Sequence, residues 1–381
     1  MTTETLLDRA AELKRQLVEY SQSGRYDGAF RRMVGEQGLD LGTWDDDRSL
    51  LLWDCFVLEY RLRNGRTVVE QFVDAHPELS PQDRELLLGW RDVVTGPFEV
   101  QRRDGPALIL VNLVDDLTYR VRATTGTEVL RRMPKRSFLI TRLVRVGDEW
   151  MFSGPTSVLT PAERDLAYRL ALDISLQIPK AAYRNPQRLA RAWELQRAER
   201  QRFIRFFGSD LVTVPGEEAQ QRIDDFFAFS RQELVRENPD AARRAGESPA
   251  PQMELPAELV ESGTVAIVFD EQDGLGFVEN FGPIEDAFAD PDLVRSRSHR
   301  RHVLGCLNEP DVPPMVLRRV ADRDPGKAGE LFRRLLKRKE FDWARDGEEL
   351  LRTAKPDYYS QPHLPQVTPV SDRLSAYAGR R

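Results

Sequence analysis

Cysteine is almost missing. Cys55 and Cys306 are the only two in 381 residues, far apart in sequence and without a cysteine framework around either, which excludes a disulfide-stapled fold and points to a reducing compartment. Long apolar runs are missing as well. No stretch approaches the roughly 20 residues that a membrane-spanning helix needs, and Met1-Thr2-Thr3-Glu4 is not a basic and apolar leader of the signal-peptide kind. A cytoplasmic protein without membrane contact is therefore expected. Lysine occurs only at Lys14, Lys135, Lys180, Lys327, Lys337, Lys339 and Lys355; arginine dominates the basic set, which we read first as codon bias and second as salt-bridge chemistry.

A complete catalytic signature is also lacking. Ala321-Asp322-Arg323-Asp324-Pro325-Gly326-Lys327-Ala328 approaches a phosphate-binding loop, but Ala328 stands where serine or threonine must hold magnesium. Asp270-Glu271, the acidic strand end such a site needs, precedes the loop instead of following it. Gly274-Leu275-Gly276-Phe277 is similar to a carboxylate-binding loop, yet it sits in a hairpin without the further strands. His299, His302 and Cys306 fall within about 60° on a helix advancing about 100° per residue. They are metal-ligand types, with Asp290 or Asp292 as a fourth. Arg300 and Arg301 beside them repel a cation, so the expectation is no metal and no cofactor, with His299, His302 and Cys306 kept as the candidate ligands. Asp45, Asp46 and Asp47 are read as acids at a helix start, where they meet the positive end of the dipole.

What is present is mostly helical patterning around one island of strands. The length allows two or three domains. Leu6, Ala10, Leu13, Leu17 and Tyr20 recur at helical spacing, as do Leu52, Trp53, Phe56 and Tyr60. From Phe98 to Leu159 the pattern changes. Strands are predicted at Phe98–Arg103, Ala107–Val114, Leu117–Ala123, Phe138–Val146 and Glu149–Ser153, punctuated by Asp104-Gly105, Asp115-Asp116 and Gly147-Asp148. In the third, Leu117, Tyr119, Val121 and Ala123 alternate with Thr118, Arg120 and Arg122, which predicts one buried and one wet, basic face. Five short strands are too few for a sandwich but suffice for a small SH3-like or OB-like barrel. The fold class expected is α+β: a helical surround, a central five-stranded barrel and a separate C-terminal α+β part. The boundaries are 1–96 helical, 97–159 barrel, 160–237 helical and packing with the first two, 238–256 a proline-rich linker, 257–355 a C-terminal region with a hairpin at Thr264–Phe281, and 356–381 an extended tail.

Charge supplies the candidate binding surfaces. The island from Phe98 to Phe152 has ten basic and seven acidic residues, a balance of +3. The helix from Pro186 to Phe207 carries Arg188, Arg191, Arg197, Arg200, Arg202 and Arg205 and could lie on phosphates or on its own glutamates. Residues 295–345 have fourteen basic against seven acidic, +7. After Gly326 one arc of a helix is apolar, and Arg333, Arg334, Lys337 and Arg338 fill the other. These four, with Arg120 and Arg122, are the nucleic-acid candidates.

Gly65-Arg66-Thr67-Val68-Val69-Glu70-Gln71-Phe72, His76-Pro77-Glu78-Leu79-Ser80, Gly96-Pro97-Phe98-Glu99-Val100 and Phe206-Phe207-Gly208-Ser209-Asp210 give the run from Trp53 to Phe229 a resemblance to uncharacterised bacterial proteins related to those with the SEC-C metal-binding motif. The cysteine cluster of that motif is lacking, so zinc binding does not follow; the resemblance implies an intracellular bacterial accessory protein. The function expected is non-enzymatic binding or interaction with an unidentified protein partner. The alternatives are association with RNA, DNA or the ribosome, and an enzyme whose site is not legible in sequence.

Overall fold

The apolar stripe of the first twenty residues folds as α1 (Thr3–Ser21), followed by α2 (Asp27–Glu36) and α3 (Asp46–Leu58). The computed structural model describes residues 3–37, 46–124, 126–237 and 253–378. Part of the expected loop at 35–47, including Asp45, and most of the expected linker at 238–256 lie outside those residues; Asp46 and Asp47 form the first turn of α3. Thr67 accepts from the Glu70 N–H while Glu70 reaches back to the Thr67 N–H, and this reciprocal cap opens α4 (Val68–Ala75). Ser80 and Pro81 open α5 (Pro81–Gly89).

The island of strands is present, with shifted ends. β1 (Val94–Asp104) starts earlier than expected because Gly96-Pro97 lies inside the strand instead of ending a helix. Both residues pair with β4, and a side chain at Gly96 would stand 3.2 Å from Asn112 and Val114. β2 (Ala107–Asn112), β3 (Thr118–Arg122) and β4 (Phe138–Val146) match their predicted cores, while β5 (Glu149–Leu159) continues past Gly154-Pro155. It can do so because the register shifts between Ile140 and Arg142 and pairing resumes at Ile140 with Ser157. The pairings run β1-β2-β3-β5-β4 and return from β4 to β1; the β3–β5 contact is parallel and two pairs long. Phe98, Leu108, Leu110, Tyr119, Val121 and Leu143 fill the interior. Val144, Val146 and Met151 point the other way, into a core with α1, α3, α4 and α5, and the Trp90 indole donates to the Arg145 carbonyl at 3.1 Å.

Through this helix–sheet contact runs a buried ionic network. Asp54 of α3 accepts from Lys14 at 2.6 Å, from Arg142 at 2.7 Å and from Ser153 at 2.7 Å. Arg142, 3% exposed, also reaches Glu59 at 2.6 Å. Burial pushes the Asp54 carboxyl up, but Lys14 and Arg142 more than offset this and hold it below the ordinary carboxylate range.

The chain divides into two compact units, 1–188 with 370–381, and 189–369. The first unit adds α6 (Arg164–Gln177), α7 (Pro179–Ala182) and the opening residues of α8 (Pro186–Phe207). The second holds the rest of α8, then β6 (Leu211–Pro215), α9 (Gly216–Glu237), α10 (Ala257–Val260), β7 (Thr264–Asp270) and β8 (Gly274–Glu279). It continues through α11 (Gly282–Ala289), α12 (Arg297–Asn308), α13 (Pro314–Ala321), α14 (Pro325–Leu336), α15 (Trp343–Ala354) and α16 (Pro356–Ser360). This differs from the sequence partition at two places. Residues 160–237 are divided between the units, 160–188 in the first and 189–237 in the second, and β6 pairs with β7, which converts the expected hairpin into a three-stranded sheet, order β6-β7-β8. Nor is 356–381 simply an extended tail: it contains α16 and α17 (Asp372–Ala378), and Leu374 is buried in the first unit. β7 is central, so its β-branched run is covered on both faces: Val265, Ile267 and Phe269 by α8 and α9, Ala266 and Val268 by the helices that follow the sheet.

Asp54→Asn should destabilise the first unit by about 3–5 kcal/mol, the cost of removing one partner from a buried ion pair. Since Asp54 is held low in the folded chain, its contribution is complete above the unfolded value of about 4 and is lost as pH falls through the depressed folded value. Thermal melts of wild type and Asp54→Asn should therefore differ most near neutrality and converge below about pH 4.

Candidate functional site

Charged and aromatic side chains from four segments converge within the second unit. Trp193, Arg197 and Arg200 recur at spacings of four and three on α8 and share a face. They line a cleft of about 580 Å³ together with Asp270, Glu271 and Gln272 of the β7–β8 turn, Met315, Arg318 and Arg319 of α13, and Tyr358 of α16.

The turn is fixed from several sides. Asp270 accepts from the Gln272 N–H at 2.8 Å and the Asp273 N–H at 3.1 Å. The buried Gln196 amide donates to the Glu271 carbonyl at 2.9 Å and accepts from the Gln366 N–H at 2.7 Å. Gln366 in turn accepts from the Leu275 N–H at 2.9 Å and donates to the Leu275 carbonyl at 3.1 Å. Gly274 has φ +71°, and a side chain there would come within 2.3 Å of the Gln366 amide oxygen.

Ionic contacts then orient the guanidinium groups. Arg319 binds Asp210 and, at 3.2 Å, Asp270. Arg200 also binds Asp210 and donates Nε–H to the Phe269 carbonyl at 3.1 Å. Arg197 meets Glu271 at 3.1 Å, and Arg318 meets Glu348 at 2.7 Å and the Tyr359 hydroxyl at 3.1 Å. Burial pushes the Asp270 carboxyl up, but the two turn N–H donors and Arg319 outweigh it and keep it low. Asp273 behaves oppositely: burial dominates and raises it, although Tyr358 donates to it at 2.7 Å. The four arginines thus face four carboxylates, and what remains in surplus is donors. Among the described residues, no hydrogen bond engages Nη1 or Nη2 of Arg197, Nε or Nη1 of Arg318, or Nη1 of Arg200; Nε of Arg319 is also without a partner but is buried away from the cleft.

The candidates named from sequence lie elsewhere. Arg122 is buried, held by Glu149 and Glu4, and Arg120 is held by Asp104 and Glu149. Alternation had put both on a wet face; that face is covered at Arg122 because the first turn of α1 brings Glu4 to it. Arg333 donates to the Phe341 carbonyl at 2.9 Å, and Arg334 is paired with Glu330 and Asp292 at 2.6 and 2.9 Å. Lys337 ends α14 in a left-handed conformation, φ 54°, and Arg338 stands 5.7 Å from the Phe341 ring centre. These last two are exposed. His299, His302 and Cys306 lie along α12, and Cys306 turns into the core, where burial pushes its thiol up to about 12. Among the described residues no three His, Cys, Asp or Glu side chains are placed to hold a metal ion. A second groove, of about 620 Å³ in the first unit, is lined by Leu6, Leu86 and Gly89 with one basic side chain, Arg145, whose Nε–H goes to the Gly147 carbonyl.

Sequence reading had singled out Arg197 and Arg200 beside Trp193 on a basic helix, and Asp270-Glu271 as an acidic strand end, but it did not bring these segments together and assigned no role to Arg318, Arg319 or Tyr358. The usable signals were the Trp193/Arg197/Arg200 spacing and the adjacent Arg318-Arg319. No family model, no curated protein and no solved structure matches the chain.

Gly274→Ala combines a left-handed backbone with a clash against Gln366, so it should cost about 1–2 kcal/mol or more, read as a lowered denaturation midpoint with an unchanged slope. Zinc analysis of the purified chain should give less than stoichiometric metal, and chelator should leave the melting temperature unchanged. Bound zinc that disappears in Cys306→Ser would contradict this.

Proposed function

We propose that the protein is a non-enzymatic binding protein whose second unit holds a small, acceptor-rich anion in the cleft between α8, α13 and the β7–β8 turn. The observation that carries this reading is the surplus of oriented guanidinium N–H donors around a cavity of about 580 Å³, within the size range of small-molecule sites. Binding is favoured over catalysis because the two buried carboxylates at the turn are already engaged and Glu271, the open one, is exposed to water and ion-paired with Arg197. Asp270 accepts from two backbone donors and Arg319, and Asp273 accepts from Tyr358, whereas a general base needs a free lone pair aimed at its substrate.

The rest of the proposal is coarser. The order β1-β2-β3-β5-β4 with a parallel β3–β5 contact supports an OB-like over an SH3-like reading of the five-stranded sheet. No helix among the described residues is long and apolar enough to cross a membrane, which is compatible with the cytoplasmic setting implied by the SEC-C-related resemblance. A nucleic-acid reading retains only Lys337 and Arg338 of its six candidates as exposed side chains without an ion pair among the described residues.

Calorimetric titration of the full chain with inorganic phosphate, sulfate and phosphate monoesters should give saturable binding. Arg197→Ala and Arg318→Ala should each weaken it by about tenfold, the loss expected for a charge-assisted hydrogen bond. The absence of saturable binding by every anion in the set overturns the reading. So does binding that both variants leave unchanged.

A further inference from the structure

Resting on that reading, we propose that the anion is a nucleoside monophosphate. Three chemically distinct surfaces meet in the one cleft. The first is the set of guanidinium donors on Arg197 and Arg318 that no hydrogen bond engages among the described residues, which suits phosphate oxygens because a planar fork of N–H groups matches two of them at once. The second is Trp193. It lies one turn from Arg197 on the same face, is half-buried, and makes no ring–ring contact among the described residues, so its indole is available to a flat heterocycle. Met315 lines the same cavity and is suited to the edge of a ring. The third is Glu271, whose side chain is 59% exposed and meets Arg197 with Oε1 at 3.1 Å. A ribose hydroxyl or exocyclic amine can donate to the other oxygen.

A bare anion uses only the first of these surfaces and leaves most of the 580 Å³ to water. A nucleoside without phosphate uses only the other two. The charge balance argues against a high number of phosphates. Arg197, Arg200, Arg318 and Arg319 are matched by Glu271, Asp210, Glu348 and Asp270, so the empty site is close to neutral. Each additional phosphate would bring negative charge with no further cation to meet it, which favours one phosphate over three.

The test is calorimetric titration of the full chain with AMP, GMP, CMP and UMP, each beside inorganic phosphate, the matching nucleoside and the matching triphosphate. At least one monophosphate should bind ten or more times tighter than phosphate, than its own nucleoside and than its triphosphate. Trp193→Ala should bring that monophosphate to the affinity of phosphate without changing phosphate itself, Trp193→Phe should retain most of the preference, and Arg197→Ala should weaken both. Circular-dichroism melts of the variants separate loss of binding from loss of fold. If phosphate binds and no monophosphate exceeds it, this inference fails while the binding reading above stands. If a nucleoside or a triphosphate binds as tightly as the monophosphate, the assignment of one phosphate is overturned. If no ligand in the set binds, both fail.

Discussion

A carboxylate enclosed between a lysine and an arginine leaves a chain little choice of arrangement. Asp54 brings one side chain from α1, one from β4 and one from β5 to the same two oxygen atoms. Asp54 and Arg142 are out of water and Lys14 is largely so, and such charges are costly if left alone. Apolar packing between α1, α3 and the sheet could tolerate a slide of one residue, since Leu, Val and Phe make few directional demands. The ionic network could not, because a slide would strand Lys14 or Arg142 without a counter-charge. Gly154 lies beside Asp54 with φ +74°, a left-handed conformation that favours glycine.

Much of the first unit was legible because its signals are local. Alternation and turn residues located all five strands, and the predicted fourth, Phe138–Val146, coincides with β4. The errors occur where tertiary structure overrides a local rule. Gly96-Pro97 reads as a stop, yet a proline needs no N–H partner and the glycine fits the close approach of Asn112 and Val114. Arg122 reads as solvated, yet Glu4 reaches it from more than a hundred residues away. β6 was missed because a five-residue strand that immediately follows one helix and precedes another carries no period of its own, and becomes recognisable only opposite β7.

The cleft was less legible for a related reason. Its walls come from residues near 193–200, 270–272, 315–319 and 358, and no sequence spacing relates these segments. The count of basic residues, which directed attention to 295–345, measures charge without its partners. Arg334 is the instructive case, since two acids neutralise it and one of them, Asp292, lies far from it in sequence. In the cleft the same pairing leaves N–H donors unspent, because one guanidinium carries more donors than a single carboxylate engages. Direction, more than net charge, distinguishes this surface.

The Gln366 side chain has a further effect on the second unit's sheet. With the order β6-β7-β8, both outer strands present backbone groups that another chain could pair with. Gln366 occupies the N–H and the carbonyl of Leu275 with one amide, as a neighbouring strand's backbone would. At the opposite margin β6 ends in Pro215, which has no N–H to offer. The sheet's two margins are thus each interrupted, one by a side chain that imitates backbone and the other by a residue that cannot donate, and both interruptions disfavour pairing with a further strand.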